Sequence, residues 1–169
     1  MTAYSFIATD YEIPEIDNTK KRFITVREAI ALGIKPHELV PWERMDKDSE
    51  VTIVDDENDL DELVIKKETD FENDVRWYTK KPFIYSVYFR YREHRGKQLL
   101  EYLKENIKEG QHLELWSIWL GDKQYIKPII CEYERISLEL IKKVYTWQVG
   151  NDSICNCVVF ERKLSGVVG

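Results

Sequence analysis

Glycine and proline are scarce, at 7 and 5 in 169 residues. That leaves little material for collagen-like repeats, long loops or a glycine-rich phosphate cradle. No GxGxxG, P-loop or GxSxG phrase occurs, so nucleotide binding and serine hydrolysis by those devices are excluded. The three cysteines are too few, and odd in number, for a disulfide framework. Reduced, buried thiols in a reducing compartment are the expectation. No apolar stretch approaches the roughly 20 residues a membrane helix needs. Met1 to Asp10 has no basic n-region, so no signal peptide is read there and the cytoplasm is the expected location. Positive charge is also short. Against 31 acidic residues stand 25 basic ones, a net charge of -6 that argues against general affinity for nucleic acid or anionic membrane.

Aromatic residues are plentiful instead, with 5 Trp, 10 Tyr and 6 Phe. Apolar residues at 43% and charged residues at 33% describe a chain able to bury a core. The charge is uneven. Met1 to Lys80 carries 11 basic and 20 acidic residues, a net of -9; Lys81 to Gly169 carries 14 and 11, a net of +3, and the two sum to -6.

The second half has the clearer rhythm. Phe83 to Tyr91 alternates like a strand, and Leu99, Leu100, Leu103 and Ile107 recur at helical spacing before Gly110. Gly96 inside that helix marks a close packing contact. His112 to Leu120 alternates again, and Gly121 to Gln124 reads as a turn into a third strand, Tyr125 to Arg135. Pro128 falls within that strand, so pairing is expected to begin near Ile129. Ser137 caps a helix with Leu140, Ile141 and Val144, and Ile154 to Arg162 closes the series. The order β-α-β-β-α-β predicts an α+β fold: a C-terminal ferredoxin-like plait with an N-terminal mixed α/β extension packed on its sheet. Strands are expected at Tyr4 to Ala8, Val51 to Val54, Leu63 to Lys67 and Val75 to Tyr78. The expected division is residues 1-80 and 81-169, near Thr79 to Pro82, folding as one cooperative unit.

Phe23 to Arg44 contains a capping box at Thr25 and Glu28, then Gly33, Pro36 and Pro41. The phrase resembles the opening of a MerR- or excisionase-type helix-turn-helix, which implies a capped helix, a glycine turn and a recognition helix on DNA. Pro41 would break that second helix, and Glu38 and Glu43 offset Lys35 and Arg44. A helix and turn packed on a sheet is the simpler reading.

Asp55, Asp56, Glu57, Asp59 and Asp61 form an acidic run that invites calcium. The EF-hand count fails at Leu60, where glycine is needed, and at Lys66, where the bidentate glutamate is needed. Cys155 and Cys157 share a strand face, but no further ligand pair accompanies them. Neither metal nor cofactor is expected. Pairing the second and third plait strands would set Glu114 opposite Cys131 and His112 opposite Tyr133. There His112 could activate the Cys131 thiol while Glu114 orients the ring, the weakest of the candidate sites.

That register leaves Tyr88, Trp116 and Tyr133 on the face away from the helices. Such a face must be covered, by the N-terminal half or by another copy of the chain. The leading functional expectation is therefore a non-catalytic protein-binding module, immunity- or antitoxin-like in size and charge. It would meet a basic protein through Asp55 to Asp61 and the aromatic face. The alternatives are a small enzyme or ligand-binding domain with a cleft between sheet and N-terminal half, and a DNA-binding regulator built on residues 23-44.

Overall fold

The computed structural model describes residues 3-123, 125-146 and 156-166. Among the described residues nine strands run in chain order: β1 Ala3–Thr9, β2 Ile16–Asp17, β3 Arg22–Thr25, β4 Glu50–Ile53, β5 Val64–Lys67, β6 Phe83–Tyr88, β7 His112–Trp119, β8 Ile129–Glu132 and β9 Cys157–Glu161. The helices are α1 Val26–Ala31, α2 Glu72–Val75, α3 Glu93–Asn106 and α4 Leu138–Thr146. The class is α+β. The chain forms two compact units, Met1–Asp17 with Glu62–Gly169, and Asn18–Asp61, in place of a division near residue 80.

The larger unit is a seven-stranded sheet in the order β2-β5-β6-β1-β7-β9-β8. Every neighbouring pair is antiparallel except β8 with β9. This corrects the plait. A split βαβ unit is present, since β6 and β7 are both antiparallel to the strand between them and α3 connects them. The middle slot is filled by β1, however, not by a strand of the C-terminal half. With that slot taken, β8 moves to the edge and pairs with β9, Ile129 opposite Val158 and Cys131 opposite Phe160. Pro128 lies outside the ladder, and pairing begins at Ile129. The Tyr125 to Arg135 strand shrinks to four residues because Tyr133–Arg135 turns into a 3-10 helix.

Period-two alternation divides the sheet into two faces. Ile7, Tyr85, Val87, Leu113, Leu115, Val158 and Phe160 point to one face, where Leu99, Leu103 and Ile107 from the α3 segment and Ile141 and Val144 of α4 close over them. Gly96 is the point of closest approach on α3. A Cβ there would lie 2.9 Å from Tyr91 Cε2 and 3.1 Å from Leu138 Cδ1, so the helix needs glycine to pack. The opposite face carries Phe6, Ala8, Ile84, Trp116, Ile118 and Cys157. The N-terminal half does not lie across it as one layer. Val75 and Tyr78 cover it, and β1 is threaded into the sheet itself. Val75–Tyr78 is accordingly not a strand but the end of α2 and a turn.

The smaller unit is a β3–β4 hairpin with α1 between its strands and a core of Val26, Ala29, Trp42 and Ile53. Thr25 and Glu28 form the expected capping box, with Glu28 N donating to Thr25 Oγ1 at 3.2 Å and Thr25 N to Glu28 Oε2 at 2.8 Å. No recognition helix follows. Gly33 turns the chain at φ 71°, residues 34-41 are irregular, and Pro41 leads only into the 3-10 turn Trp42–Arg44.

Candidate functional site

The Cys131, His112 and Glu114 constellation is dispersed. Because β9 lies between β7 and β8, His112 pairs with Glu161 and Glu114 with Val159. His112 Nε2 stands 3.7 Å from the Glu161 carboxylate, and Glu114 points to the face opposite Cys131's core. Burial pushes the Cys131 thiol above its ordinary value, with Arg135 opposing and Glu132 assisting, the reverse of an activated nucleophile. Cys131 and Cys157 are buried and unbridged on adjacent strands but in opposite cores. Cys155 lies outside the described residues.

The other candidates scatter as well. Tyr133 belongs to the helix-side core, where its hydroxyl donates to the Lys104 carbonyl at 2.7 Å and Arg162 lies 4.3 Å over its ring. Tyr88, 58% exposed, borders a notch of about 250 Å³ with Tyr4, Ser5, Arg90 and Tyr145. The notch opens because β1–β6 pairing stops at Phe6 and Ser86 while both strands continue. Asp55, Asp56, Glu57, Asp59 and Asp61 belong to the smaller unit; Asp55 pairs with Arg22 at 3.2 Å, and Asp56 caps Asn58. Among the described residues no group of His, Cys, Asp and Glu gathers as a metal site, and no helix is long and apolar enough to cross a membrane.

Trp116 alone leads to a built site. Its ring stacks on Phe6 at 5.7 Å with 6° between planes, and Tyr78 leans on it at 5.8 Å. The Trp116 indole N–H and the Thr79 hydroxyl both donate to Glu114 Oε2, at 2.8 and 2.7 Å, which fixes the indole in place. The Tyr78 hydroxyl donates to the Asp122 carbonyl. Burial, with the Asp122 charge nearby, pushes that phenol upward and keeps it a donor. Around this floor opens a cleft of about 340 Å³ lined by Trp77, Tyr78, Trp116, Lys123, Tyr125 and Ile126. Trp77 and Tyr125 are 61% and 92% exposed, so the walls are open to solvent. Lys123 places its ammonium 5.0 Å over the Trp77 ring.

The outer wall is shaped by residues 68-82. Glu68 Oε1 accepts the Asp70 and Phe71 amides at 2.8 Å each and starts the turn that becomes α2. Val75 is then buried, which turns Trp77 outward and Tyr78 inward. The Arg76 guanidinium clasps the strap by donating to the Lys81 and Pro82 carbonyls and pairing with Glu72 at 3.0 Å. Residues 68-74 contain Glu68, Asp70, Glu72 and Asp74 and no basic residue. Glu68 is buried on its own turn and Glu72 pairs with Arg76, so Asp70 and Asp74 carry the exposed negative charge of the segment that leads into Trp77.

Trp77, Tyr78, Lys123 and the 68-74 acids were missed in the sequence. Their signal was there: an acidic run followed at once by two adjacent aromatics, in Asp74-Val75-Arg76-Trp77-Tyr78. Comparison with family models, curated proteins and solved structures finds no match for the chain.

Proposed function

We propose that the chain is a non-catalytic binding protein that holds a basic protein partner against the Trp77–Trp116 cleft. The observation that carries this reading is a preformed aromatic cleft that already seats an ammonium, Lys123 over Trp77, with the exposed acids Asp70 and Asp74 in the segment that leads into Trp77. Aromatic faces attract cations through their quadrupole, and acidic neighbours raise the local concentration of a cationic partner. The net charge of -6 acts in the same direction. Indole and phenol anchors bring large contact area at small conformational cost, which is why Trp and Tyr dominate interface energetics. The charge and size keep the likeness to immunity proteins and antitoxins at the level of analogy. Two buried, unbridged thiols fit work in a reducing compartment such as the cytoplasm.

The test compares immobilised full-length protein with a variant carrying Asp70→Asn, Asp74→Asn and Trp77→Ala, all distant from the main core. A basic protein retained by the wild type at low salt should then be purified. Its affinity should fall about tenfold or more for the variant and weaken with added salt, as acidic-to-basic recognition requires. Partners held equally by both proteins would overturn the proposal.

A further inference from the structure

The cleft has an occupant of its own, and that occupant defines its chemistry. Lys123 sits in an irregular segment after Gly121, whose φ of 90° lets the chain turn back over the far face. Its side chain is exposed, yet its ammonium lies 5.0 Å over Trp77. The site therefore presents an aromatic surface of Trp77 and Trp116, the latter fixed from behind by Glu114, and one internal cation. Building on the binding role proposed above, we infer that the cleft is an ammonium site for a lysine side chain of the basic partner, and that Lys123 is an intramolecular competitor for it.

Binding at this ring is an exchange. An ammonium on an aromatic face gains a modest cation–π attraction at an exposed site. Lys123 collects that attraction without loss of translational freedom, so it occupies the ring whenever no ligand does. An incoming lysine has to displace it, and the released Lys123 returns to solvent on a flexible four-carbon stem. The competitor thus sets a threshold. Single cations bind only weakly, whereas a partner that also engages the exposed acids Asp70 and Asp74 has extra attraction with which to displace Lys123. The remaining cleft volume, about 340 Å³, accommodates an extended lysine side chain beside Ile126 and Tyr125.

The full-length protein is titrated with Nα-acetyl-lysine amide while the indole N–H resonances of Trp77 and Trp116 are followed by NMR, with sodium chloride at equal ionic strength as the control. A saturable shift of the Trp77 signal is expected. Lys123→Ala should tighten binding by about two- to fivefold, the worth of one exposed cation–π contact. Trp77→Ala should abolish the response at Trp116. Lys123 and Trp77 are both surface side chains, so neither change threatens the fold. Absence of a saturable shift even in Lys123→Ala overturns the ammonium site. An equal affinity with and without Lys123 overturns the competitor. If tetramethylammonium binds and the lysine probe does not, the lysine ligand is wrong. If Trp77→Ala still releases a purified basic partner while the lysine probe fails, the binding face stands and this inference falls alone.

Discussion

The two faces of the sheet are built on different terms. The helix side is the larger core and is closed by two helices, with Leu99, Leu103, Leu113, Leu115 and Phe160 fully buried. The far side is thinner, with Phe6 and Trp116 stacked at its centre, and among the described residues the 68-82 strap, Leu120 and Ile126 cover it. A layer closed by helices contributes stability and little else. A partly covered aromatic layer keeps its anchors fixed and leaves one ring edge in water, and that combination suits recognition. The two faces share a single support, β1, which gives Ile7 to one and Phe6 and Ala8 to the other.

The largest expected effect follows from that shared support. The fragment of residues 81-169 lacks β1, β2 and β5, so β6 and β7 lose the neighbour that joins them. It should show no cooperative unfolding by circular dichroism in urea and should bind a hydrophobic dye. A fragment unfolding at the midpoint of the whole chain would show that β1 is dispensable and the two faces are supported separately.

Within the intact protein, one strand tests both faces. Leu113 and Ile118 are both buried on β7 and point in opposite directions. Truncating Leu or Ile in a core typically costs about 2–5 kcal/mol, less where neighbours can relax into the space. Leu113→Ala should fall near the upper end and Ile118→Ala near the lower, measured by urea denaturation. Equal losses would mean the far face is as rigidly packed as the helix face.

A smaller effect separates the faces by pH. On the helix side, α3 is tied down by an ion pair, with Arg95 Nε donating to Glu62 Oε1 at 2.9 Å and His94 Nε2 at 3.1 Å from the same oxygen. Burial would raise the Glu62 carboxyl, but the hydrogen bonds from His94 and Arg95 outweigh it and hold the group below its usual value. A lowered carboxyl contributes stability in full above the unfolded carboxylate range. That contribution is lost as pH falls through the lowered value. Glu62→Gln should cost about 1.5–3 kcal/mol at neutral pH, the worth of a hydrogen bond to a charged group. The deficit should shrink below about pH 4, where the wild-type carboxylate is itself protonated. A deficit that does not change with pH would assign the loss to packing.

Much of the local structure was legible in the sequence. Alternation along His112 to Leu120 correctly put Trp116 on the face away from the helices, because a strand's side-chain period is a local property. The capping box, the close contact at Gly96 and the start of pairing at Ile129 were readable for the same reason: each rests on a few neighbouring residues. Strand order was not. Nothing within Tyr4 to Ala8 records that its partners are Phe83 to Ser86 on one side and Leu113 to Trp119 on the other. Once β1 takes the central slot, Cys131 and Tyr133 change faces and the candidate thiol site dissolves. The cleft was missed because α2 spans a single turn, too short to show a helical period. Val75, Trp77 and Tyr78 are also good strand formers.

The central position of β1 also has a bearing on time. Thr9 waits for Phe83, and Ala3 waits for Trp119, before either can pair. Contacts so distant along the chain have to be reached by diffusion, which places such topologies among the slower folders, on the millisecond-to-second scale. On the ribosome the first strand is made long before its partners: Phe6 and Ile7 wait for Ser86 and Tyr85, and Tyr4 stays unpaired until Ile118 has emerged. The strand that joins the two faces is thus the first to be synthesised and among the last to be secured.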